Sequence, residues 1–104
     1  MADALAEAGY AVLEAEDGMA GLAMLDGRQI DLIVSDLEMP NMGGIDFIKA
    51  ARRIALYQAT PVIIHSSIAK QIETFGNKLI DAKAWLNKPV MPEQLIAIIA
   101  DLLK

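Results

Sequence analysis

The sequence predicts an α/β domain, an open parallel sheet with helices packed on both faces. Two short apolar runs, IDLIVS and PVIIHS, have the composition of strands that are buried on both sides. Segments with apolar residues at helical spacing separate the predicted strands, and this alternation is typical of βα units. With 104 residues, the chain is long enough for one such domain and too short for two.

Five helices and four strands are predicted, and local signals justify their limits. Gly9 and Gly27 favour the ends of the first two helices. Pro40 breaks the chain before the third helix, and Pro92 suits the first position of the last one. The predicted elements are helix 1–8, strand 10–16, helix 19–25, strand 30–35, helix 45–56, strand 61–66, helix 68–79, strand 84–86 and helix 92–103.

The composition excludes several function classes. Lys and Arg number 9 and Asp and Glu number 14, which gives a net charge of −5 and argues against nucleic-acid binding. Cys is absent and there is one His, so disulfides, thiolate nucleophiles and His- or Cys-based metal sites are not expected. No apolar run approaches the length of a membrane span, and residues 1–5 do not resemble a signal peptide. We therefore expect a cytoplasmic protein without a membrane partner.

Three polar side chains follow three of the predicted strands. Asp36 comes directly after IDLIVS, Ser66 ends PVIIHS, and Lys88 follows the short strand at 84–86. In open parallel sheets the working site lies at the carboxyl ends of the strands. Each residue alone has an ordinary structural interpretation as a turn, a local hydrogen bond or a solvated charge. Together they predict a carboxylate, a hydroxyl and an ammonium group at one rim.

The chain resembles the receiver domains of two-component response regulators along almost its whole length. The segments AEDG, DLIVSDLEMPNMGG, PVIIHSS and DAKAWLNKPV carry the resemblance, and SDLEMP and NKPV are its specific parts. It implies a flavodoxin-like, CheY-like fold with strand order 2-1-3-4-5. By position it also implies that Asp36 is the phosphoacceptor and that the backbone carbonyl of Glu38 helps to hold Mg²⁺. Ser66 and Lys88 would bind the phosphoryl group, Trp85 would occupy the aromatic switch position, and Lys88-Pro89 would be a cis peptide.

The resemblance implies phosphotransfer signalling and not an enzyme of metabolism. Asp36 would take a phosphoryl group from a histidine kinase or phosphotransfer protein and form an acyl phosphate. The alternative is a degenerate receiver that dimerises or docks independently of phosphorylation. A small hydrolase or phosphatase is disfavoured, since no nucleophile elbow is present and no second Asp follows two residues after Asp36.

The family pattern starts earlier than this sequence, with an apolar strand that ends in two metal-binding acids. Residues 1–104 therefore correspond to a receiver without its first strand, and Mg²⁺ binding should be weak. One hypothesis is that Glu16 and Asp17 replace the missing acids, whereas the ordinary alternative is a solvated turn. The gap in the sheet could be closed by direct pairing of the strands at 10–16 and 30–35, or by a strand-exchanged homodimer. A shortened chain is the third alternative.

Overall fold

The computed structural model describes residues 2–104, and within them three parallel strands form one sheet: β1 (Ile33–Asp36), β2 (Val62–Ser66) and β3 (Ala84–Asn87). The strands lie in chain order, and their register pairs Asp36 with His65 and Ser66 with Asn87. All three strands therefore end at the same rim. The described helices are α1 (Ala2–Glu7), α2 (Gly18–Met24), α3 (Gly44–Arg52), α4 (Ala69–Gly76) and α5 (Pro92–Leu102), with a 3₁₀ turn at Ala55–Tyr57. Met1, with which the predicted first helix begins, lies outside the described residues.

The two faces of the sheet bury separate apolar clusters, as the predicted architecture requires. Alternate residues of a strand point to opposite faces. Val62 and Ile64 of β2 pack with Phe47 and Ile48 of α3 and with Trp85. On the other face, Ile63, Leu86, Leu95 and Ile99 form a second cluster that joins the sheet to α5. The prediction of an open parallel sheet covered on both faces is confirmed.

The predicted strand at 10–16 is wrong. Residues 10–15 have no regular secondary structure, and a groove of about 820 Å³ lies between this segment and β1. Its walls include Val12 and Leu13 on one side and Leu32 and Val34 on the other. A strand needs a neighbour with which to share its hydrogen bonds, and no strand of residues 2–104 lies beside this segment.

Among residues 2–104, no strand pairs with the outer edge of β1 beside this groove. The N–H groups of Ile33 and Leu37 donate to Pro61 and His65 on the β2 side, at 2.9 and 3.0 Å. Because hydrogen-bonding groups alternate along a parallel strand, the N–H of Val34 points away from β2 and toward the groove. Direct pairing of the predicted strands at 10–16 and 30–35, one of the two ways to close the gap, does not occur within residues 2–104.

The loop after β1 is closed by a tight backbone contact. Gly44, the first residue of α3, lies so near the carbonyl oxygen of Asp36 that a Cβ would overlap it, and that Cβ would also lie 3.0 Å from the Cα of Leu37. The N–H of Gly44 donates to the carbonyl of Leu37 at 2.9 Å. The glycine therefore lets α3 begin directly behind the end of β1, which fixes the backbone that carries Asp36.

None of the helices described within residues 2–104 has the length and apolar character that crossing a membrane requires.

Candidate functional site

The end of β1 and the loop after β3 bring a carboxylate and an ammonium group into contact. Lys88 Nζ donates to Asp36 Oδ2 at 2.6 Å, although the two residues are 52 positions apart in the chain. The second oxygen of Asp36, Oδ1, accepts the backbone N–H of Glu38 at 3.1 Å. Both oxygens are therefore oriented, and the sequence-based prediction that the two groups meet at one rim is confirmed.

These contacts keep Asp36 in its charged form. Partial burial raises the pKa of Asp36, but hydrogen bonds from Lys88 and from the Glu38 backbone outweigh this effect, and the resulting pKa lies below its ordinary value. An ionised carboxylate can act as a nucleophile. Because the side chains of Lys88 and Asp36 remain 38% and 29% exposed, their ion pair contributes little to stability and more to positioning.

Ser66 lies at the same rim, and its hydroxyl is engaged by Glu38. Ser66 is fully buried at the end of β2. Its Oγ donates to Glu38 Oε1 at 2.6 Å and accepts the N–H of Ile68 at 3.2 Å. The sequence assigned only the backbone carbonyl of Glu38 to the site, so the role of its side chain was missed. The one available signal was an acidic residue two positions after Asp36.

Trp85 lies inside the core and not at the rim. Its side chain is 1% exposed, and its indole N–H donates to Asn77 Oδ1 at 2.8 Å. The ring packs so closely on Gly76 that a Cβ at that position would lie 2.7 Å from Cζ2. The structure therefore holds the residue in an inward orientation, and its role as a switch stays a prediction.

The remaining strand-end residues connect the site to α4. Asn87 Oδ1 accepts the backbone N–H of Lys70 in the first turn of α4 at 3.0 Å. The next peptide bond, Lys88-Pro89, is cis. Asn87 lies in the NKPV segment that carries the resemblance, but no role was predicted for its side chain from the sequence.

The donors for a metal ion do not form a complete set in this chain. Mg²⁺ takes six oxygen ligands in near-octahedral geometry. Among residues 2–104, no group of three or more His, Asp or Glu side chains is placed to hold a metal. Asp36 and the carbonyl of Glu38 are the remaining donors, so the residues described here do not fit a self-contained Mg²⁺ site.

The hypothesis that Glu16 and Asp17 replace the missing acids stays a prediction: both line the groove that Asp36 also lines, but they form no metal-holding group with it among residues 2–104. Asp17 begins α2 as its N-cap: Oδ1 accepts the N–H of Ala20 at 2.8 Å, and Oδ2 accepts the Asn41 amide at 2.7 Å. The hydrogen bond from Ala20 is the largest influence on this carboxyl and, with that from Asn41, keeps the pKa of Asp17 below its ordinary value. Glu16 is exposed on the wall of the groove.

Comparison with known protein families and sequences is consistent with this geometry. The family model of the response regulator receiver domain matches residues 1–100. Protein PilH of Pseudomonas aeruginosa is 31% identical over 91 residues, which are 88% of this chain and 75% of PilH. The transcriptional regulatory protein CpxR of Klebsiella pneumoniae is 33% identical over 96 residues, or 92% of this chain. The chain spans only 40% of the length of CpxR.

Solved structures show the same fold. The chemotaxis protein CheY4 of Vibrio cholerae superposes with a TM-score of 0.90 at 34% identity, over 98% of this chain and 85% of CheY4. The receiver domain of a sensor histidine kinase from Pseudomonas aeruginosa has magnesium coordinated in its active site cleft; it matches with a TM-score of 0.87 at 20% identity, over 98% and 84% of the two chains. The fold is therefore the CheY-like, flavodoxin-like open sheet. With its strand-end carboxylate, hydroxyl and ammonium groups, this chain belongs to the response regulator receiver domains, the phosphoryl-accepting domains of two-component signalling.

Proposed function

We propose that Asp36 is the residue that accepts the phosphoryl group, and that the donor is the phosphohistidine of a histidine kinase or a phosphotransfer protein. The observation that carries the proposal is the 2.6 Å contact between Lys88 Nζ and Asp36 Oδ2. It places a fixed positive charge beside an ionised carboxylate at the rim where parallel sheets hold their functional groups.

The chemistry follows from this arrangement. An oxygen of Asp36 attacks phosphorus as the bond from phosphorus to the imidazole nitrogen breaks, and the electron pair of that bond returns to the nitrogen, which then takes up a proton. Catalysis of phosphoryl transfer depends mainly on positioning and on offsetting negative charge. Lys88 offsets charge on the transferred oxygens, and Ser66 has a hydroxyl at the same rim to donate to one of them.

We propose that Mg²⁺ assists this reaction and that residues 2–104 alone bind it weakly. A Mg²⁺ ion held at this rim would supply positive charge beside the transferred oxygens. Asp36 and the backbone carbonyl of Glu38 are the groups that would hold it. The incomplete donor set supports weak binding. The donor kinase, and with it the cytoplasmic location, follow from the same proposal.

The test is incubation with acetyl phosphate and Mg²⁺, followed by intact-mass measurement. We expect one phosphate adduct in the natural chain and none in Asp36→Asn, which has no ionised oxygen at this position. Lys88→Ala should slow adduct formation by about 10²-fold or more, because it removes a preorganised charge. An exposed lysine far from the rim, Lys78, provides the matched control Lys78→Ala. An adduct that persists in Asp36→Asn would refute the assignment.

The open groove beside β1 favours a second candidate function, a docking module that associates without phosphorylation. Leu13 on its wall is 52% exposed, and no strand in the described part of the chain pairs with the outer edge of β1. Unpaired edges and apolar grooves are places where another strand adds. The occupant in this candidate function is a second copy of the chain, in a strand-exchanged homodimer.

Sedimentation of the natural chain, with and without acetyl phosphate, separates the two functions. A dimer that forms equally in Asp36→Asn, and that dissociates in Leu13→Lys, supports phosphorylation-independent docking through the groove. Leu56→Lys is the control, since Leu56 is 59% exposed and does not line the groove. A monomer under all conditions eliminates the homodimer.

A further inference from the structure

Glu38 connects two parts of the rim, one through its backbone and one through its side chain. Its N–H donates to Asp36 Oδ1 at 3.1 Å, while its Oε1 accepts the hydroxyl proton of Ser66 at 2.6 Å. The oxygen of that hydroxyl also accepts the N–H of Ile68. A serine hydroxyl has one proton to donate. While the bond to Glu38 holds, Ser66 has no proton left for any oxygen attached to Asp36.

The hydrogen bond between Ser66 and Glu38 has the features of a strong one. Its 2.6 Å length falls within the range of charge-assisted O–H···O⁻ bonds, which are roughly twice as strong as bonds between neutral groups. Full burial of Ser66 shields the donor from competing water. Glu38 is exposed, so its side chain can turn into solvent without disturbing the core.

A phosphoryl group on Asp36 changes which oxygen is the better acceptor for the hydroxyl proton of Ser66. Phosphorylation brings a charge of about −1.5 to −2 and three strong acceptor oxygens. The new charge repels the Glu38 carboxylate, and the new oxygens compete for the Ser66 proton. The proton stays on Ser66 throughout and only its acceptor changes.

We propose that Glu38 is a positioning residue that holds the Ser66 hydroxyl in the unphosphorylated arrangement and releases it when Asp36 is phosphorylated. The inference rests on the proposed function, because it assumes that Asp36 is the phosphoacceptor. The Glu38–Ser66 bond stabilises only the unphosphorylated state, so its removal shifts the balance toward the phosphorylated one.

The first experiment measures the rate constants of phosphoryl uptake from acetyl phosphate and of phosphoryl loss, by intact mass. Glu38→Ala should raise the ratio of uptake to loss by about tenfold or more, tenfold being the low end of what one charge-assisted hydrogen bond contributes. Glu38→Gln keeps an acceptor without the charge and should have a smaller effect. Glu7→Gln, which removes the same charge from an exposed position on α1, is the control and should leave the ratio unchanged.

The same substitutions in a Ser66→Ala background separate the hydrogen bond from simple charge repulsion. If Glu38 acts through Ser66, Glu38→Ala should change the ratio by less than about twofold in that background, since coupled residues are non-additive. An equal tenfold effect with and without Ser66 would mean that Glu38 only repels the anionic donor, and would overturn the proposal.

A second measurement does not require phosphorylation. In the unphosphorylated protein, Glu38→Ala frees the Ser66 hydroxyl and should shift the amide resonance of Ile68, whose N–H donates to it. The shift should disappear when Ser66 is already Ala. If Glu38→Ala leaves the Ile68 amide resonance unchanged, the hydrogen bond between Ser66 and Glu38 is refuted. If that amide responds but no variant, including the natural chain, forms a phosphate adduct, the proposed function fails and the release step fails with it.

Discussion

Gly76→Ala tests whether the space beside Gly76 fixes the inward position of Trp85. A Cβ at residue 76 would overlap Cη2 of Trp85 and would lie 2.7 Å from Cζ2 and 2.9 Å from Cζ3. Carbon atoms in contact are about 3.5–4.0 Å apart, so the ring must move by more than about 1 Å or leave the core. Gly76 is the last residue of α4 and does not have a positive φ, so alanine is compatible with the backbone.

The cost can be worked from three effects. Overpacking a core costs about 1–3 kcal/mol. Displacing the ring also removes the bond from its indole N–H to Asn77, worth about 1 kcal/mol. Replacing glycine by alanine in a helix returns up to about 1 kcal/mol. We therefore expect Gly76→Ala to lower the free energy of unfolding by about 1–3 kcal/mol, and the Tm by at least about 4 °C.

Urea unfolding followed by tryptophan fluorescence measures both consequences, because Trp85 is the only tryptophan in the chain. The emission should move to longer wavelength in the folded variant as the ring becomes solvated. Gly43→Ala is the control, since a Cβ there meets only the Leu37 carbonyl oxygen at 3.5 Å. In a Trp85→Phe background, where urea unfolding is followed by circular dichroism instead of fluorescence, Gly76→Ala should become nearly neutral. A Gly76→Ala variant with natural stability and emission would refute the reasoning.

Three further predictions concern the rim and its support. Gly44→Ala should lower the free energy of unfolding by about 2 kcal/mol or more, because the new Cβ overlaps the backbone carbonyl oxygen of Asp36, which cannot move aside. A urea midpoint equal to that of the natural chain would contradict this prediction. Tyr57→Phe should lower the free energy of unfolding by about 1 kcal/mol, because the buried hydroxyl accepts the N–H of Gly27 at 3.0 Å and donates to the carbonyl oxygen of Arg28 at 2.8 Å. Thermal unfolding measures this cost, and an unchanged Tm would show that water replaces both bonds. Burial lowers the pKa of His65 despite nearby carboxylates. The unfolded state therefore binds the proton more tightly, and the free energy of unfolding should fall as the pH drops below about 6.5 toward the folded-state pKa. His65→Gln should remove this part of the pH dependence, and an identical slope in the variant would exclude His65 as its source.

The meeting of Asp36 and Lys88 was predictable because it depends on topology. Buried apolar runs identify parallel strands, and parallel strands bring their carboxyl ends to one edge. Residues that follow such runs must then be neighbours, whatever their separation in sequence. The cis peptide and the CheY-like fold came from the family resemblance and not from the residue pattern alone.

The strand at 10–16 was mispredicted because strand formation depends on pairing as well as composition. YAVLEAE has the residues of a strand, but its hydrogen-bonding groups have no strand beside them within residues 2–104. Tertiary pairing overrides local propensity in such segments. Composition alone cannot indicate whether a neighbouring strand is present.

The hydrogen-bond partners and orientations of the side chains near the rim could not be predicted from the sequence either. Glu38 could turn to solvent, to Lys88 or to Ser66, and only the folded geometry selects Ser66. Trp85 lies inward because Gly76, on a different element, leaves room for its ring. Each outcome depends on packing between elements that local patterns do not describe.

The hydrogen bond from the Lys70 backbone to Asn87 gives the end of β3 two mechanical attachments. Asn87 holds the first turn of α4, and the adjacent Lys88 holds the carboxylate of Asp36. Because Asn87 and Lys88 are consecutive, the start of α4 and the carboxylate that ends β1 are both attached to one two-residue segment after β3. A displacement of the backbone of this segment would therefore reach both elements at once.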